Sequence, residues 1–311
     1  MARSGLAKQL VLLLLLSTLW GASYGLIKVG LRSIPPLTLI AARTLIAGVV
    51  LVMVARWRGL VLPTSAALWW RFLVQACLNS VLPFTLVAWA EQTVDAALAA
   101  ILNSTSPIFA WLLTACITRH EPVTRRGCVG VVVGGAGVCL VVGMGALDGL
   151  GRALWAQLAV VVASLCYAGA AIFGRSFKAM APILPAAGSM ICGALVLGPL
   201  CLVVDRPWTL APSRESLLAL LALALCSTAL AFVIYFRIVQ ALGSVGTTAQ
   251  AYLRVPIGVG IGVVLLGETP TSTALIGLVC VVAGVVAITV PARRPGTGAR
   301  DQVPRATVPS P

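Results

Sequence analysis

Long runs of apolar residues alternate with short polar connections along nearly the whole chain. A helix that crosses the hydrocarbon core of a membrane needs about 20 predominantly apolar residues, and its run ends where charges, Pro or Gly interrupt it. By this rule the pattern predicts ten transmembrane helices and an all-α integral membrane protein in a lipid bilayer. The spans cover residues 9–28, 36–55, 70–90, 94–117, 126–146, 153–174, 182–204, 215–236, 245–266 and 273–290.

The two ends of the chain differ from the spans. The first apolar run follows Arg3 and Lys8 as a signal peptide would, but no good small-x-small cleavage site follows it and the run continues to Leu26. We therefore interpret it as a retained first helix behind a cytoplasmic N-terminus, residues 1–8. Residues 291–311 are too polar to pack and are predicted to be a disordered, basic cytoplasmic tail.

The composition agrees with a membrane protein. Hydrophobic residues make up 60% of the chain and charged residues 10%, against about 45–50% and 25% in soluble domains. The nine cysteines lie in apolar stretches without a Cys-x-x-Cys pair, which argues against a disulfide framework and a zinc site. The single histidine, His120, cannot form a His-based catalytic cluster. We expect no enzyme, no bound metal and no cofactor.

The basic residues predict the orientation of the chain in the membrane. The net charge is +14, but the positive charges flank apolar runs, so we expect no nucleic-acid partner. Cytoplasmic loops are rich in Lys and Arg. With the N-terminus inside, 15 basic residues lie on the cytoplasmic side and five lie outside, so both termini are predicted to be cytoplasmic. The inside set is Arg3, Lys8, Arg56, Arg58, Arg71, Arg119, Arg125, Arg126, Arg175, Lys178, Arg237, Arg293, Arg294, Arg300 and Arg305, and the outside set is Lys28, Arg32, Arg152, Arg206 and Arg214.

The two halves of the chain repeat one pattern. Glu91 and Pro107 are 16 residues apart, as are Gln240 and Pro256, and each pair leads to an acidic turn followed by a Gly/Val-rich span. Residues 9–146 and 153–290 are therefore predicted to be two repeats of five spans. Because five is odd, the second repeat enters the membrane with opposite polarity. Inverted repeats of this kind recur in secondary transporters, which bind substrate near the midplane between the halves.

Short motifs give the chain a resemblance to a known family. They are Pro35-Pro36 followed by Arg43, the Pro-to-Glu stretches ending in Gly267-Glu268, and residues 251–256, AYLRVP. Together with the two five-span halves, these motifs resemble the EamA family of the drug/metabolite transporter superfamily over about residues 9–290. The first half departs from the family pattern because Arg119-His120, and no Gly, precedes Glu121.

The resemblance implies a ten-helix inner-membrane permease. Such a permease exports small metabolites, often amino acids or their derivatives, from a central cavity lined by the first, third, fourth, sixth, eighth and ninth spans. A small-molecule substrate is therefore the expected partner. Gly130-x-x-x-Gly134 and Gly258-x-x-x-Gly262 permit close helix approach. We interpret both as packing within the chain, with a homodimer as the alternative.

Two arginines lie at mid-depth in predicted spans. Arg43 is in the second span and Arg254 is in the ninth. Ionisable residues inside a membrane are costly and usually face a cavity or a partner. A guanidinium could bind a substrate carboxylate with its fork of donors. Alternatively, it could satisfy backbone carbonyls freed by a kink or bond a neighbouring helix, and both interpretations stay open.

The acidic residues outside the tail lie at span ends or in loops. They are Glu91, Asp95, Glu121, Asp148, Asp205, Glu215 and Glu268. A drug/proton antiporter for lipophilic cations would need a carboxylate in the membrane, so a polyspecific drug or cation efflux permease is the alternative rather than the first interpretation. An enzyme for lipid-linked substrates would need clustered His, Asp or Glu. A non-transporting membrane protein is disfavoured by polar groups and helix breaks at matching depths of both halves.

Helix breaks and polar groups predict a hydrated cavity at mid-membrane. Prolines interrupt three spans at Pro83, Pro107 and Pro256, and the freed carbonyls need neighbours or water. The candidate substrate-binding residues are Trp20, Tyr24, Arg43, Asn79, Trp89, Asn103, Ser106, Tyr167, Tyr235, Gln250, Tyr252 and Arg254. Interhelical hydrogen bonding is the alternative for the polar members. An aromatic belt is the alternative for Tyr24, Trp89 and Tyr235.

Overall fold

A computed structural model of the chain describes residues 3–94, 96–118, 124–142, 153–257 and 272–289. Over these ranges all regular structure is helical, and seven helices are long and apolar enough to cross a membrane. A shorter apolar helix covers Leu275–Thr289. The chain is thus an all-α, multi-pass membrane protein. The ten-span count and the inverted arrangement remain predictions, since parts of the predicted fifth and ninth spans, and with them Gly258 and Gly262, lie outside these ranges.

The helices follow the predicted spans closely. The first half contains α1 (Arg3–Gly30), α2 (Pro36–Trp57), α3 (Ala66–Ala76), α4 (Leu82–Ala90), α5 (Ala96–Asn103), α6 (Ser106–Leu112) and α7 (Arg125–Val142). The second half contains α8 (Leu154–Gly174), α9 (Ile183–Val204), α10 (Arg214–Ala224), α11 (Ala231–Thr248), a helical segment at 250–257, and α12 (Ser272–Thr289). Proline begins α2, where its fixed φ suits the first helical turn.

Three π-helical turns interrupt spans in the described part of the chain. Cys77–Val81 joins α3 to α4, Leu225–Leu230 joins α10 to α11, and Leu113–Thr118 follows α6. A π turn disturbs the regular ladder of backbone hydrogen bonds and is frequent at functional sites. In the turn between α10 and α11, the carbonyl oxygen of Ser227 accepts hydrogen bonds from side chains of two other helices.

The predicted breaks have different local structures. Pro83 lies in the first turn of α4, directly after a π turn, and Pro107 lies in the first turn of α6, after a turn at residues 104–105. Pro256 lies within the helical segment 250–257. The sequence predicts that the eighth span ends at residue 236, before Arg237. In the structure the helix continues past Arg237, and this charged side chain is exposed at its surface. The helix bends at Gly243, whose φ of 75° favours glycine.

Glycines allow two helices of opposite halves to pack closely. A Cβ added at Gly130 on α7 would lie 2.8 Å from the carbonyl oxygen of Gly284 on α12. A Cβ at Gly134 would lie 2.7 Å from the ring of Tyr252. The first Gly-x-x-x-Gly motif therefore lies in a helix contact within this chain.

Candidate functional site

A small cavity lies between helices of both halves. The side chains that line it are Trp20, Ser23, Tyr24, Ile27, Arg43, Phe84, Val87, Asn103, Tyr167 and Arg254. They come from α1, α2, α4, α5, α8 and the segment 250–257. The cavity has a volume of about 30 Å³, which is room for about one water molecule. An amino acid would need the cavity to widen.

Arg254 enters the cavity from the second half. Its Nε donates a hydrogen bond to Oε1 of Gln250 at 2.8 Å, and its Nη1 donates to the hydroxyl of Tyr24 at 3.1 Å. The guanidinium carbon lies 5.2 Å from the ring centroid of Trp20, within the range of cation–π attraction. Among the described residues, no acceptor is hydrogen-bonded to its Nη2. The two hydrogen bonds therefore orient the guanidinium, and its Nη2 can still donate to a ligand in the cavity.

Tyr24 and Asn103 extend this polar group across the cavity. The Nδ2 of Asn103 donates to the hydroxyl of Tyr24 at 2.5 Å. The Oδ1 of Asn103 accepts hydrogen bonds from the hydroxyls of Ser164 at 3.1 Å and Ser106 at 3.4 Å. The Tyr24 oxygen thus accepts two hydrogen bonds, which leaves its own hydrogen to donate. Tyr24 and Arg254 together present donors to an acceptor in the cavity.

Arg43 is held more completely by the protein. Its side chain is 2% exposed, its Nε donates to Oγ1 of Thr228 at 2.5 Å, and its Nη2 donates to the carbonyl oxygen of Ser227 at 3.2 Å. The guanidinium carbon lies 4.1 Å from the ring centroid of Phe84. The π turn between α10 and α11 supplies both acceptors. The sequence left two interpretations of Arg43 open, substrate binding and a bond to a neighbouring helix. The contacts in the structure match the second interpretation.

Positive charge dominates the cavity. Among the described residues, its lining includes two arginines and no Asp or Glu. In surroundings of low dielectric constant, a guanidinium attracts anionic groups strongly and repels cations. Across the described ranges, no group of three or more His, Cys, Asp or Glu side chains could hold a metal ion. The described lining of this cavity therefore combines positive charge with aromatic walls.

The predicted candidates divide into three sets by position. Trp20, Tyr24, Arg43, Asn103, Tyr167 and Arg254 line the cavity. Ser106 and Gln250 lie directly behind it, bonded to Asn103 and Arg254. The structure does not bring Asn79, Trp89, Tyr235 and Tyr252 to the cavity lining.

The candidates away from the cavity have other surroundings. Trp89 is 48% exposed, as expected of the aromatic-belt alternative. Tyr252 is fully buried and donates to the carbonyl oxygen of Val131 at 2.8 Å, which ties the segment 250–257 to α7. Tyr235 packs beside Trp20, with ring centroids 5.6 Å apart. Asn79 is buried in the π turn between α3 and α4.

Sequence reasoning missed several residues of the site. Ser227 and Thr228 form a polar pair in the middle of the apolar run 215–236, and this interruption is a signal that could have indicated them. Phe84, which stacks on Arg43, gives no such signal because it is one apolar residue among many. Ser23 lines the cavity one position before Tyr24.

The chain is similar to known transporters over most of its length. It matches the EamA-like transporter family twice, at residues 7–143 and 154–290. It is 27% identical over 273 residues to the "Uncharacterized inner membrane transporter YedA" of Escherichia coli, with 87% of each chain covered. It is 29% identical over 292 residues to the "Probable terminal-alkyne amino-acid exporter" of Streptantibioticus cattleyicolor, covering 91% of this chain and 94% of that protein.

The fold is also similar to that of solved structures, among them a crystal structure. It superposes with a TM-score of 0.73 at 20% sequence identity and covers 91% of this chain and 96% of its own. At this identity the likeness concerns the fold alone.

Proposed function

The chain belongs to the EamA-like transporter family, and from this membership and its cavity we propose that it exports a small solute bearing a carboxylate, such as an amino acid or an amino-acid derivative. The proposal includes two inverted five-span repeats that work by alternating access. It also includes a position in the cytoplasmic membrane with both termini in the cytoplasm. A relative's name as an amino-acid exporter supports the substrate class.

The observation that carries the proposal is the pair formed by Arg254 and Tyr24 in a cavity whose described lining residues include no Asp or Glu. A substrate carboxylate would accept hydrogen bonds from Nη2 of Arg254 and from the Tyr24 hydroxyl. Charge-assisted hydrogen bonds to a carboxylate are roughly twice as strong as neutral ones. The rings of Trp20 and Tyr167 would contact the apolar part of the solute.

The position of this pair also supports alternating access. Tyr24 belongs to the first matched segment and Arg254 to the second. Movement of one half against the other would separate the two side chains and widen the cavity. Rocking of this kind around a site between repeats is the common mechanism of secondary transporters. The narrow cavity then corresponds to a state in which the halves have closed on each other.

The alternative is a polyspecific drug or cation efflux permease. Aromatic rings can hold a cation, and the cavity contains several. However, the ring of Phe84 already faces the guanidinium of Arg43, and that of Trp20 faces Arg254. A substrate cation would meet these positive charges in place of a free aromatic face.

A transport assay tests the proposal. Purified protein in proteoliposomes would be given a panel of amino acids, nucleosides and cationic dyes, with and without a pH gradient. We expect transport of one or more amino acids above protein-free vesicles, and competition by other carboxylates but not by their amides. Transport of cationic dyes without any amino acid would overturn the substrate class and favour the efflux alternative.

A further inference from the structure

Glu91 carries a buried carboxyl group at the end of α4. It directly follows α4, which ends at Ala90, and its side chain is 4% exposed. Neither of its carboxyl oxygens has a hydrogen-bond partner among the described residues. The sequence predicts a carboxylate at the end of a span, but packing removes this one from water. An ionised carboxylate in such a position is strongly disfavoured unless it is paired and hydrogen-bonded.

The position of Glu91 connects it to the cavity. Phe84 and Val87 line the cavity from α4, and Glu91 follows them at spacings of seven and four residues. These spacings place all three on one face of the helix. Glu91 is therefore one turn beyond the lining, at the end of the cavity that the charge pattern predicts to be outside.

Among the described residues, the surroundings of Glu91 are apolar apart from Tyr24 of α1, which belongs to the same buried cluster, and two cations. Val87, Ala90 and Val94 pack with Leu98 of α5 and Val160 of α8 in one buried cluster. Neither α5 nor the turns of α8 around Val160 carry a titratable side chain. The charged groups that act on Glu91 are Lys28 of α1 and Arg43 of α2.

These surroundings favour the neutral form of the carboxyl group. Burial raises the pKa of Glu91 from its ordinary value of 4.5 to about 8, although the positive charges of Lys28 and Arg43 act in the opposite direction. A group that titrates near neutral pH responds to ordinary changes in external pH. Water that reached the carboxyl group would remove the burial effect and release its proton.

We propose that Glu91 is a proton-binding residue that controls the outer end of the cavity. The proton passes between the carboxyl group and water, so that the neutral acid is buried when this end is closed and the carboxylate is hydrated when it is open. Coupling of this site to substrate release rests on the proposed function. The proton site itself can be tested without any substrate.

Infrared spectroscopy of the full chain in lipid nanodiscs tests proton binding directly. We expect the C=O stretching band of a protonated carboxyl group to disappear as the pH rises through about 8. The band should be missing in Glu91→Gln, which is isosteric with the neutral acid and retains the buried shape. Glu215→Gln is the matched control, since Glu215 is exposed in the first turn of α10, and it should leave the band and its titration unchanged.

Hydrogen–deuterium exchange tests the link to opening of the cavity. In the wild type, exchange in the last turns of α1 and α4 should increase from pH 6 to pH 9, after correction for the intrinsic pH dependence of exchange. In Glu91→Gln this increase should be lost.

Two results would overturn the proposal. One is a wild-type chain without a carboxyl group that titrates between pH 6 and 9, whatever the variants do. The other is an equal increase in exchange in the wild type and Glu91→Gln. Failure of amino-acid transport with both signals present would instead contradict the proposed substrate and leave the proton site standing.

Discussion

Arg254 donates a hydrogen bond from Nη1 to the hydroxyl of Tyr24 at 3.1 Å, although the two residues are 230 positions apart in the sequence. This bond joins the two family segments of the chain across the cavity. The same tyrosine oxygen accepts a hydrogen bond from Asn103. A substrate that binds here must either displace these hydrogen bonds between the two halves or bind beside them.

The first prediction concerns the fork of Arg254. Arg254→Lys keeps the positive charge but places its three donors on one nitrogen, which cannot occupy the separate positions of Nε, Nη1 and Nη2. We expect folded protein with amino-acid binding weakened about tenfold or more, which corresponds to about 1.4 kcal/mol. Calorimetry on monodisperse protein measures this, with Arg56→Lys on the exposed end of α2 as the control. Unchanged affinity for amino acids would remove Arg254 from the proposed site.

The second prediction concerns Arg43 as a helix-bonding residue. Arg43→Lys loses the paired donors that reach Thr228 and Ser227 and the stacking on Phe84. Hydrogen bonds from charged groups contribute about 1.5–3 kcal/mol, so we expect a loss of stability in that range. Thr228→Val should cost less, because the Ser227 carbonyl remains bonded. Thermal unfolding measures both losses, and affinity in the surviving fold should change little. A stable Arg43→Lys protein that no longer binds substrate would contradict this role.

The third prediction concerns the close packing of α3 against α9. A Cβ added at Gly188 would lie 2.3 Å from Cδ2 of Phe72, whose ring is fully buried. Gly188→Ala should therefore lower stability by about 1–3 kcal/mol through overpacking. Gly25→Ala on the exposed side of α1 is the control, because no atom other than those of its own chain neighbours and helix backbone lies within 4 Å of its added Cβ. The control should be neutral or more stable by up to about 1 kcal/mol. Equal unfolding temperatures for the two variants would show that this helix contact is not tight.

The fourth prediction concerns the pH dependence of stability. The folded pKa of Glu91, about 8, is above its ordinary value of 4.5, so the folded chain holds a proton that the unfolded chain has lost between these pH values. The contribution of this carboxyl group to stability is therefore greatest below about pH 4.5 and decreases as the pH rises to about 8. Glu91→Gln should unfold at a higher temperature than the wild type at pH 8, with a smaller difference at pH 5. A difference that is larger at pH 5 would show that the carboxyl group is ionised in the fold.

The fifth prediction concerns orientation. Fifteen basic residues on one side against five on the other predict that both termini and the loop at residues 119–126 are cytoplasmic. Reporter fusions at residue 122 and after residue 300 should show cytoplasmic activity, and a fusion in the loop at residue 33 should show periplasmic activity. Periplasmic activity at residue 122 would contradict the inverted-repeat arrangement.

The candidate site was predictable where a residue type is unusual for its surroundings. Arg43 and Arg254 are visible in the sequence because a charge within an apolar run is costly and rare. Tyr24 and Asn103 were found among other polar and aromatic candidates on the same spans. Asn79 and Tyr252 fit the same pattern equally well, but the structure buries Asn79 in a π turn and bonds Tyr252 to the backbone of α7. Only the rotation of each helix against its neighbours separates these two groups.

The sequence by itself determined the class of the protein and its division into halves. Span length and apolar content are local properties, since every backbone polar group in a membrane helix is satisfied within that helix. The repeat and the family motifs are equally local. For these reasons the all-helical membrane fold and the transporter family follow from the sequence without any long-range contact.

The tertiary structure decided which side chains meet. Arg43 bonds Thr228 across 185 positions and Arg254 bonds Tyr24 across 230, and no local pattern contains such distances. The burial of Glu91 has the same origin, because residues of α5 and α8 pack around the end of α4. Helix packing sets the depth and rotation of each span, and these decide whether a polar side chain faces lipid, a neighbouring helix or the cavity.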